Sequence, residues 1–319
     1  GGSMRASNPS YESPFLTRQV SHVRRLVTTL SSAQGMRANF RRLPESRETH
    51  PEYLVELLPD GQLLPDSLLR HIERRSVHRR PLSTIPLIKV EKQALQDAVG
   101  ESYTVRWFEG GAQRWRLAKL MFDNARLRLT LKEAYHVHRD IIEWKSRFSE
   151  DKVPDQALGL DAVTLKLMRW VMISWQRVHF FNTYLGGHLI PRLEMDLLPG
   201  LLCAAHFAFL ARKAPVTIDD YVAAGRAVQR FWLTATSLGL GLQPELTPLI
   251  FSRYVREERR FSQSNAAWIQ AQTLTEQLKT MLGDDTPQTV FLGRIGHGAS
   301  PRARSLRLPL QRLVTFVNG

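Results

Sequence analysis

The stretch LLCAAHFAFLA (residues 201–211) has the length and apolar density of a strand buried on both faces, and it is bounded by Pro199-Gly200 and by Pro215. Pro199, Gly200 and His206 interrupt the longer apolar run around 197–211, which falls short of a membrane span. The chain's single cysteine, Cys203, lies inside it. One cysteine permits neither an intramolecular disulfide nor a zinc-cysteine cluster, so Cys203 reads as a small buried hydrophobe.

On the C-terminal side, Thr217 is placed to cap a helix whose first turn carries Asp219 and Asp220, suited to the positive end of its dipole. Ala224, Val228, Trp232, Ala235 and Leu238 recur on one face, and Gly239 and Gly241 end the helix. A helix follows at about 264–282, then a strand QTVFLGRI (288–295). On the N-terminal side, Val20, Val23, Leu26, Val27 and Leu30 make an amphipathic helix stopped by Gly35. MRANFRRLP (36–44) alternates as a half-exposed strand does. A short helix is expected at 65–75, a helix at 90–99 closed by Gly100, and a strand at YTVRWF (103–108). A long helical region is expected at 112–148, a loop at 149–161 and a helix at 162–184. Helices and strands mix without a βαβ rhythm, which makes the class α+β.

The 319 residues carry a formal net charge of +14, with 43% hydrophobic and 23% charged residues. That is a globular composition whose basic balance points to anionic partners: nucleic acid, a membrane surface or phosphorylated small molecules. GGSM (1–4) reads as an expression scar and the polar residues 5–19 as a tail. With no signal peptide read at the start and one cysteine, the expected setting is soluble and cytoplasmic.

Several patterns fail as chemistry. GRIGHG (293–298) reverses the dinucleotide-binding fingerprint, and no helix opens after it. His136 and His138, two apart on a helix, point to different faces and make a poor metal pair. There is no G-x-S-x-G elbow. Two arginine-serine segments stand out. RHIERRSVHRRP (70–81) interleaves Arg70, Arg74, Arg75, Arg79 and Arg80 with Ser76 and His78. PRARSLRLPL (301–310) places Arg302, Arg304 and Arg307 around Ser305. Guanidinium forks and hydroxyls together suit a phosphate, and a solvated basic face is the alternative.

In order and spacing, three stretches resemble the nitroreductase family of flavin proteins. IERRSVHRRPL (72–82) is similar to its early R-x-S-x-R signature. AAGRAVQRFWLTATSLGLGLQPEL (223–246) is similar to its helix ending in G-L-G, and FLGRIGHGASPRARSLRLPL (291–310) to its closing strand, glycine turn and basic segment. More narrowly, the chain resembles a long subgroup in which two related halves in one polypeptide mimic the usual homodimer. Residues 20–70 would then be a shortened first half, and 71–319 the main half with a helical insertion at about 110–195.

This resemblance implies a nitroreductase-like fold, a mostly antiparallel sheet flanked by helices, and an FMN site. Arg74 and Ser76 would hold the phosphate and ribityl chain, with His78 or Arg79 at the second basic position. Arg304, Ser305 and Arg307 would close on the same phosphate, and Gln243, Pro244 and Glu245 would run beside the isoalloxazine. The implied activity is NAD(P)H-dependent reduction of a quinone or nitroaromatic, with no membrane partner and a homodimer as one option. The family's P-S-x-x-N-x-Q-P-W loop is echoed only in NPSYESPF (8–15), which lacks the Asn and Trp. A flavin-sequestering protein without turnover is the first alternative, with Trp144, Trp170, Trp175, Phe180, Phe181 and Tyr184 either a lid or helix core. A nucleic-acid-binding module is the second.

Overall fold

A computed structural model describes residues 31–47, 50–306 and 308. The NPSYESPF echo, most of the first amphipathic helix and Arg307 lie outside them. Among the described residues, one helical turn at 31–33 precedes Gly35, whose φ is 64°.

Strands β1 (Met36–Arg42) and β2 (Tyr53–Pro59) pair as an antiparallel hairpin. β2 was not expected from sequence, and Leu57 and Leu58 on it face solvent. The helix expected at 65–75 shrinks to one 3-10 turn at Leu69–His71. Helix α1 (Lys89–Val99) and strand β3 (Tyr103–Phe108) agree with the sequence reading. The long helix expected next breaks into α2 (Gly110–Thr130) and α3 (Lys132–Ile141), because Leu131 adopts an extended backbone between them. Three two-residue strands follow, β4 (Ile142–Glu143), β5 (Phe148–Ser149) and β6 (Val153–Pro154). The helix expected at 162–184 is divided into α4 (Ala162–Val171) and α5 (Trp175–Tyr184), with Ser174 capping the second half.

An unexpected helical run then leads into the central strand: α6 (Leu189–Arg192), a π turn (Leu193–Leu197) and α7 (Leu198–Leu201). The strand itself, β7, spans Ala205–Ala211, so the first residues of the apolar run end a helix instead. Helix α8 (Ile218–Ser237) starts in a capping box, in which Thr217 and Asp220 satisfy each other's backbone. Strand β8 (Leu240–Pro244) and helix α9 (Thr247–Arg256) come next, both missed by periodicity. Helix α10 (Asn265–Leu282), strand β9 (Thr289–His297) and the short β10 (Arg304–Ser305) close the described chain.

The main sheet has the order β3-β7-β9-β8, antiparallel throughout, with β7 and β9 inside. This is the α+β, antiparallel-sheet architecture expected from sequence. Alternation on β7 and β9 divides two cores. Phe207, Phe209, Phe291 and Ile295 pack with Leu95 of α1 and with Phe231 and Trp232 of α8. Ala208 and Leu292 face the other way, onto Leu117 and Leu120 of α2, Phe251 of α9 and Leu274 and Leu278 of α10. The segment 110–130 is therefore core to the sheet. A third, smaller cluster gathers Ile142, Leu158 and Leu160 with Trp144.

Gly293 of β9 sits opposite Phe207, and a Cβ there would lie 2.8 Å from Phe207 Cζ and 3.0 Å from the Gln243 carbonyl oxygen. Phe207 cannot swing away, because Phe231 at 4.8 Å and Phe209 at 5.5 Å hold its ring. Gly293→Ala is therefore expected to cost about 1–3 kcal/mol through overpacking. A urea denaturation midpoint equal to that of the unsubstituted protein would show that the ring has room to move.

Candidate functional site: a basic cleft over a buried charge cluster

The segment 72–82 runs along the open edge of the sheet. Val77 forms a parallel bridge with Leu242 of β8, and the His78 amide donates to the Leu242 carbonyl at 2.9 Å. Further on, the Leu82 and Ser83 amides donate to Leu202 and His297. The glycines of the closing strand and turn let this segment lie close. A Cβ at Gly241 or Gly298 would come within 2.9 Å or less of Leu82 and, at Gly241, of the His78 ring. His78 is buried, and its Nε2 lies 2.7 Å from the Ala299 carbonyl oxygen, which fixes Nε2 as the donor. Arg304 Nη1 donates to the Glu73 carbonyl at 2.8 Å. The two arginine-serine segments, more than two hundred residues apart in sequence, are thus held side by side.

Together they wall a cleft of about 1030 Å³. Residues 77–81 form one side and 299–303 another, and residues from the stretch between β4 and α4 close it. Its lining includes the cations Arg79, Arg80, Lys145, Arg147, Lys166, Arg169 and Arg302, with Asp155 as the one carboxylate. That carboxylate is already engaged, accepting from the Lys145 amide at 2.9 Å and the Ser146 amide at 3.1 Å. β10 pairs with β5 in parallel, so the C-terminal segment is stitched to the same stretch that carries Lys145 and Arg147. Arg147 Nη2 also donates to the Arg302 carbonyl at 3.3 Å. Positive charge concentrated in a concave, partly enclosed space raises the local potential for an anion.

The sequence-predicted residues take different places. His78 and Arg79 line the cleft, and Arg79 Nη1 also donates to the Ala157 carbonyl at 3.0 Å. Arg74, exposed, and Ser76, half-buried, do not line the cleft, and neither do Arg304 and Ser305. Ser305 donates its hydroxyl to the Lys152 carbonyl at 2.9 Å. Gln243 Nε2 donates to the Pro244 carbonyl at 2.9 Å, while its Oε1 is buried without a hydrogen-bond partner. Neither Gln243, Pro244 nor Glu245 lines the cleft. Sequence reasoning did not single out Lys145, Arg147, Lys166 and Arg169; nothing in their local spacing signals a site. The aromatic residues weighed as a lid or as core divide: Trp175 and Phe181 are half-buried. Trp170, Phe180 and Tyr184 are exposed, and Trp144 packs against the small third cluster.

Beneath the cleft lies a buried ionic cluster. His206 of β7 and Arg294 of β9 are direct cross-strand partners on the α2 side of the sheet. Two cations there would repel, and Glu245 separates them. Its carboxylate is 2.7 Å from His206 Nδ1 and 3.6 Å from Arg294 Nε. His206 Nε2 faces the Gly200 carbonyl at 2.8 Å, so both ring nitrogens donate, as an imidazolium does. Burial opposes that charge, but Glu245, with Cys203 assisting, overrides it and raises the pKa to about 10. The Arg294 guanidinium reaches outward to the floor of the cleft, donating to the Arg79 carbonyl at 2.7 Å and to those of Arg80 and His78 at 3.2 and 3.4 Å. Asp196 of the π turn stands near, 3.7 Å from Arg128 Nη2. Burial lifts its carboxyl to about 6, Glu245 adds to the rise, and Arg128, Arg294 and Arg192 oppose it.

No family model matches the chain. No curated protein matches it either. Among solved structures, a nitroreductase-like family protein from Bacillus cereus is similar at 15% identity and a TM-score of 0.39, over 80% of this chain and 97% of that one. An FMN-dependent nitroreductase from Mycobacterium smegmatis, solved in complex with NADPH, is similar at 14% identity and a TM-score of 0.41, over 78% and 97%. A nitroreductase with bound FMN from Bacteroides fragilis is similar at 14% identity and a TM-score of 0.39, over 79% and 100%. Likeness at this level carries no argument about chemistry, which has to come from the cleft itself.

Proposed function

We propose that the cleft binds FMN and that the protein is an NAD(P)H-dependent flavin oxidoreductase acting on an electron-poor acceptor such as a quinone or nitroaromatic. One observation carries the reading: residues 77–81 and 299–303, brought together from the two arginine-serine segments, wall a single cleft whose cations, among the described residues, far outnumber its one, already engaged carboxylate. The cleft's size suits a flavin mononucleotide, since pockets for ligands of that class span roughly 300–1,000 Å³. The order of the sequence motifs supplies the choice of flavin over other phosphate esters.

Arg79 and Arg302 would hold the phosphate, with Arg80, Lys145 and Arg147 adding to the potential around it. Arg304, anchored on Glu73, would keep the two segments together beside the cleft. His78, bonded to Ala299, and Arg294, bonded to the carbonyls of 78–80, would keep these walls in register. FMN supplies the hydride acceptance and donation when bound, and the chain supplies position and electrostatics.

Titration with FMN and with riboflavin tests the reading. The double variant Arg79→Ala/Arg302→Ala is expected to weaken FMN binding by about ten- to a hundredfold, the loss of one or two charge-assisted hydrogen bonds, while leaving riboflavin affinity unchanged. Equal affinity for FMN and riboflavin in the unsubstituted protein would remove the phosphate assignment. The roof of residues 145–169 over the cleft favours a second reading, a protein that holds flavin without turnover. NADPH oxidation by a fully flavinated sample separates the two. Binding of an oligonucleotide in preference to FMN, falling steeply with salt, would mark the cleft as a nucleic-acid groove instead.

A further inference from the structure

A second cavity lies away from the basic cleft, between α8, α9 and the start of β9, with a volume of about 180 Å³. Its inner walls are mostly apolar: Ala224, Val228 and Trp232 come from α8, Leu249 from α9, and Val290 and Phe291 from β9, with the Ser252, Thr286 and Thr289 hydroxyls beside them. Trp232 is 1% exposed and Phe291 5%, so the floor of this half-open space reaches down to the first core. At its edge stand Arg253, Arg256 and Arg259, all from the C-terminal end of α9 or just beyond it. Arg253 is fixed across the gap to α8, its guanidinium 4.6 Å from the Tyr221 ring centre. Glu257 accepts from Arg253 Nε at 2.6 Å and neutralises one of the three cations. Arg256 is exposed and Arg259 half-buried.

Cations at a helix C-terminus complement its dipole, which alone would explain an arginine there. It does not explain the cavity. The cavity opens to solvent on one side, and an apolar space of roughly 150 Å³ is enough to admit a benzene ring. We propose that this cavity is a binding site for an amphipathic organic anion, an aromatic or short-chain carboxylate. Its apolar body enters between Val228 and Phe291, and its carboxylate meets Arg256 and Arg259. The assignment is independent of the flavin reading, because neither these arginines nor these walls line the basic cleft.

Calorimetric titration with 4-phenylbutyrate and with its neutral counterpart 4-phenylbutanol tests this, both with and without saturating FMN. The unsubstituted protein is expected to bind the carboxylate with a sub-millimolar dissociation constant, at least about tenfold tighter than the alcohol, since a hydrogen bond to a charged group carries that much. Val228→Phe should abolish binding by filling the cavity, and Ala224→Leu should do the same if the first variant fails to fold. Arg256→Gln/Arg259→Gln should erase the preference for the carboxylate while the alcohol still binds. No binding at millimolar carboxylate, binding that survives both filling variants, or displacement by FMN would each overturn the proposal. The last outcome would place the probe in the basic cleft and leave the flavin reading standing; failure of FMN to bind would not touch the cavity.

Discussion

Arg294→Met is expected to destabilise the protein by about 3–5 kcal/mol, the cost of breaking a buried ion pair from one side. Arg294 is 1% exposed, and its guanidinium has two separate duties. Toward the sheet it balances Glu245 at 3.6 Å; toward the cleft it donates to the carbonyls of His78, Arg79 and Arg80. Methionine fills much of the volume but leaves those carbonyls without this donor, and an unsatisfied buried acceptor costs about 1–3 kcal/mol. Arg294→Lys keeps the charge but cannot fork to several carbonyls, so its loss should fall between the two. Urea unfolding followed by circular dichroism measures both. The same variants should weaken FMN binding even where the protein remains folded, because the 78–80 backbone forms part of the cleft wall. A loss for Arg294→Met below about 1 kcal/mol would show that desolvating the cluster offsets its attraction.

That cluster also shows where the sequence was legible and where it was not. The apolar run at 201–211 correctly announced a central strand, and within it His206 was treated only as an interruption of a membrane span. An ionisable residue in a near-continuous apolar strand is itself a signal, because burial demands a partner. Arg294 in VFLGRIG is the same signal on the neighbouring strand, and the pair could have been suspected together. The run's first residues were ambiguous for a different reason: short apolar stretches do not distinguish a buried helix end from a strand. Gly239 and Gly241 were both read as helix stops. Gly239, with φ of 74°, is one, whereas Gly241 lies in β8 because His78 and Leu82 need the space a Cβ would fill. The break at Leu131 has neither glycine nor proline to mark it. In the cleft, the two arginine-serine segments could be seen because each is a local cluster. Lys145, Arg147, Lys166 and Arg169 could not, since the tertiary fold alone gathers them and they stand singly among ordinary helix and loop residues.

Two buried groups are expected to lower stability as pH rises, Asp196 between about 4 and 6 and His206 between about 6.5 and 10, and separate substitutions remove each contribution; His138, held down to about 3 by burial, opposes the lower of the two. Asp196 has its carboxyl raised from 3.8 to about 6, with burial the main cause. The fold therefore favours its protonated form, and that contribution is complete below pH 3.8 and lost as pH rises through 6. His206 is raised from 6.5 to about 10, the Glu245 carboxylate outweighing the burial that opposes its charge. The folded protein holds this proton more tightly than the unfolded chain, so the contribution is complete below 6.5 and disappears as pH climbs through 10. Over that upper window the loss is on the order of 5 kcal/mol. Lysines and tyrosines titrate near the top of the same range, which makes the comparison with a variant the informative measurement. His206→Gln keeps a donor toward Glu245 or Gly200 but has no proton to lose. Its stability at pH 7 should be lower than that of the unsubstituted protein, and the two should converge toward pH 10. Asp196→Asn should flatten only the step between pH 4 and 6. Parallel stability curves for His206→Gln and the unsubstituted protein from pH 7 to 10 would mean that the fold holds no proton at the His206–Glu245 pair more tightly than the unfolded chain does.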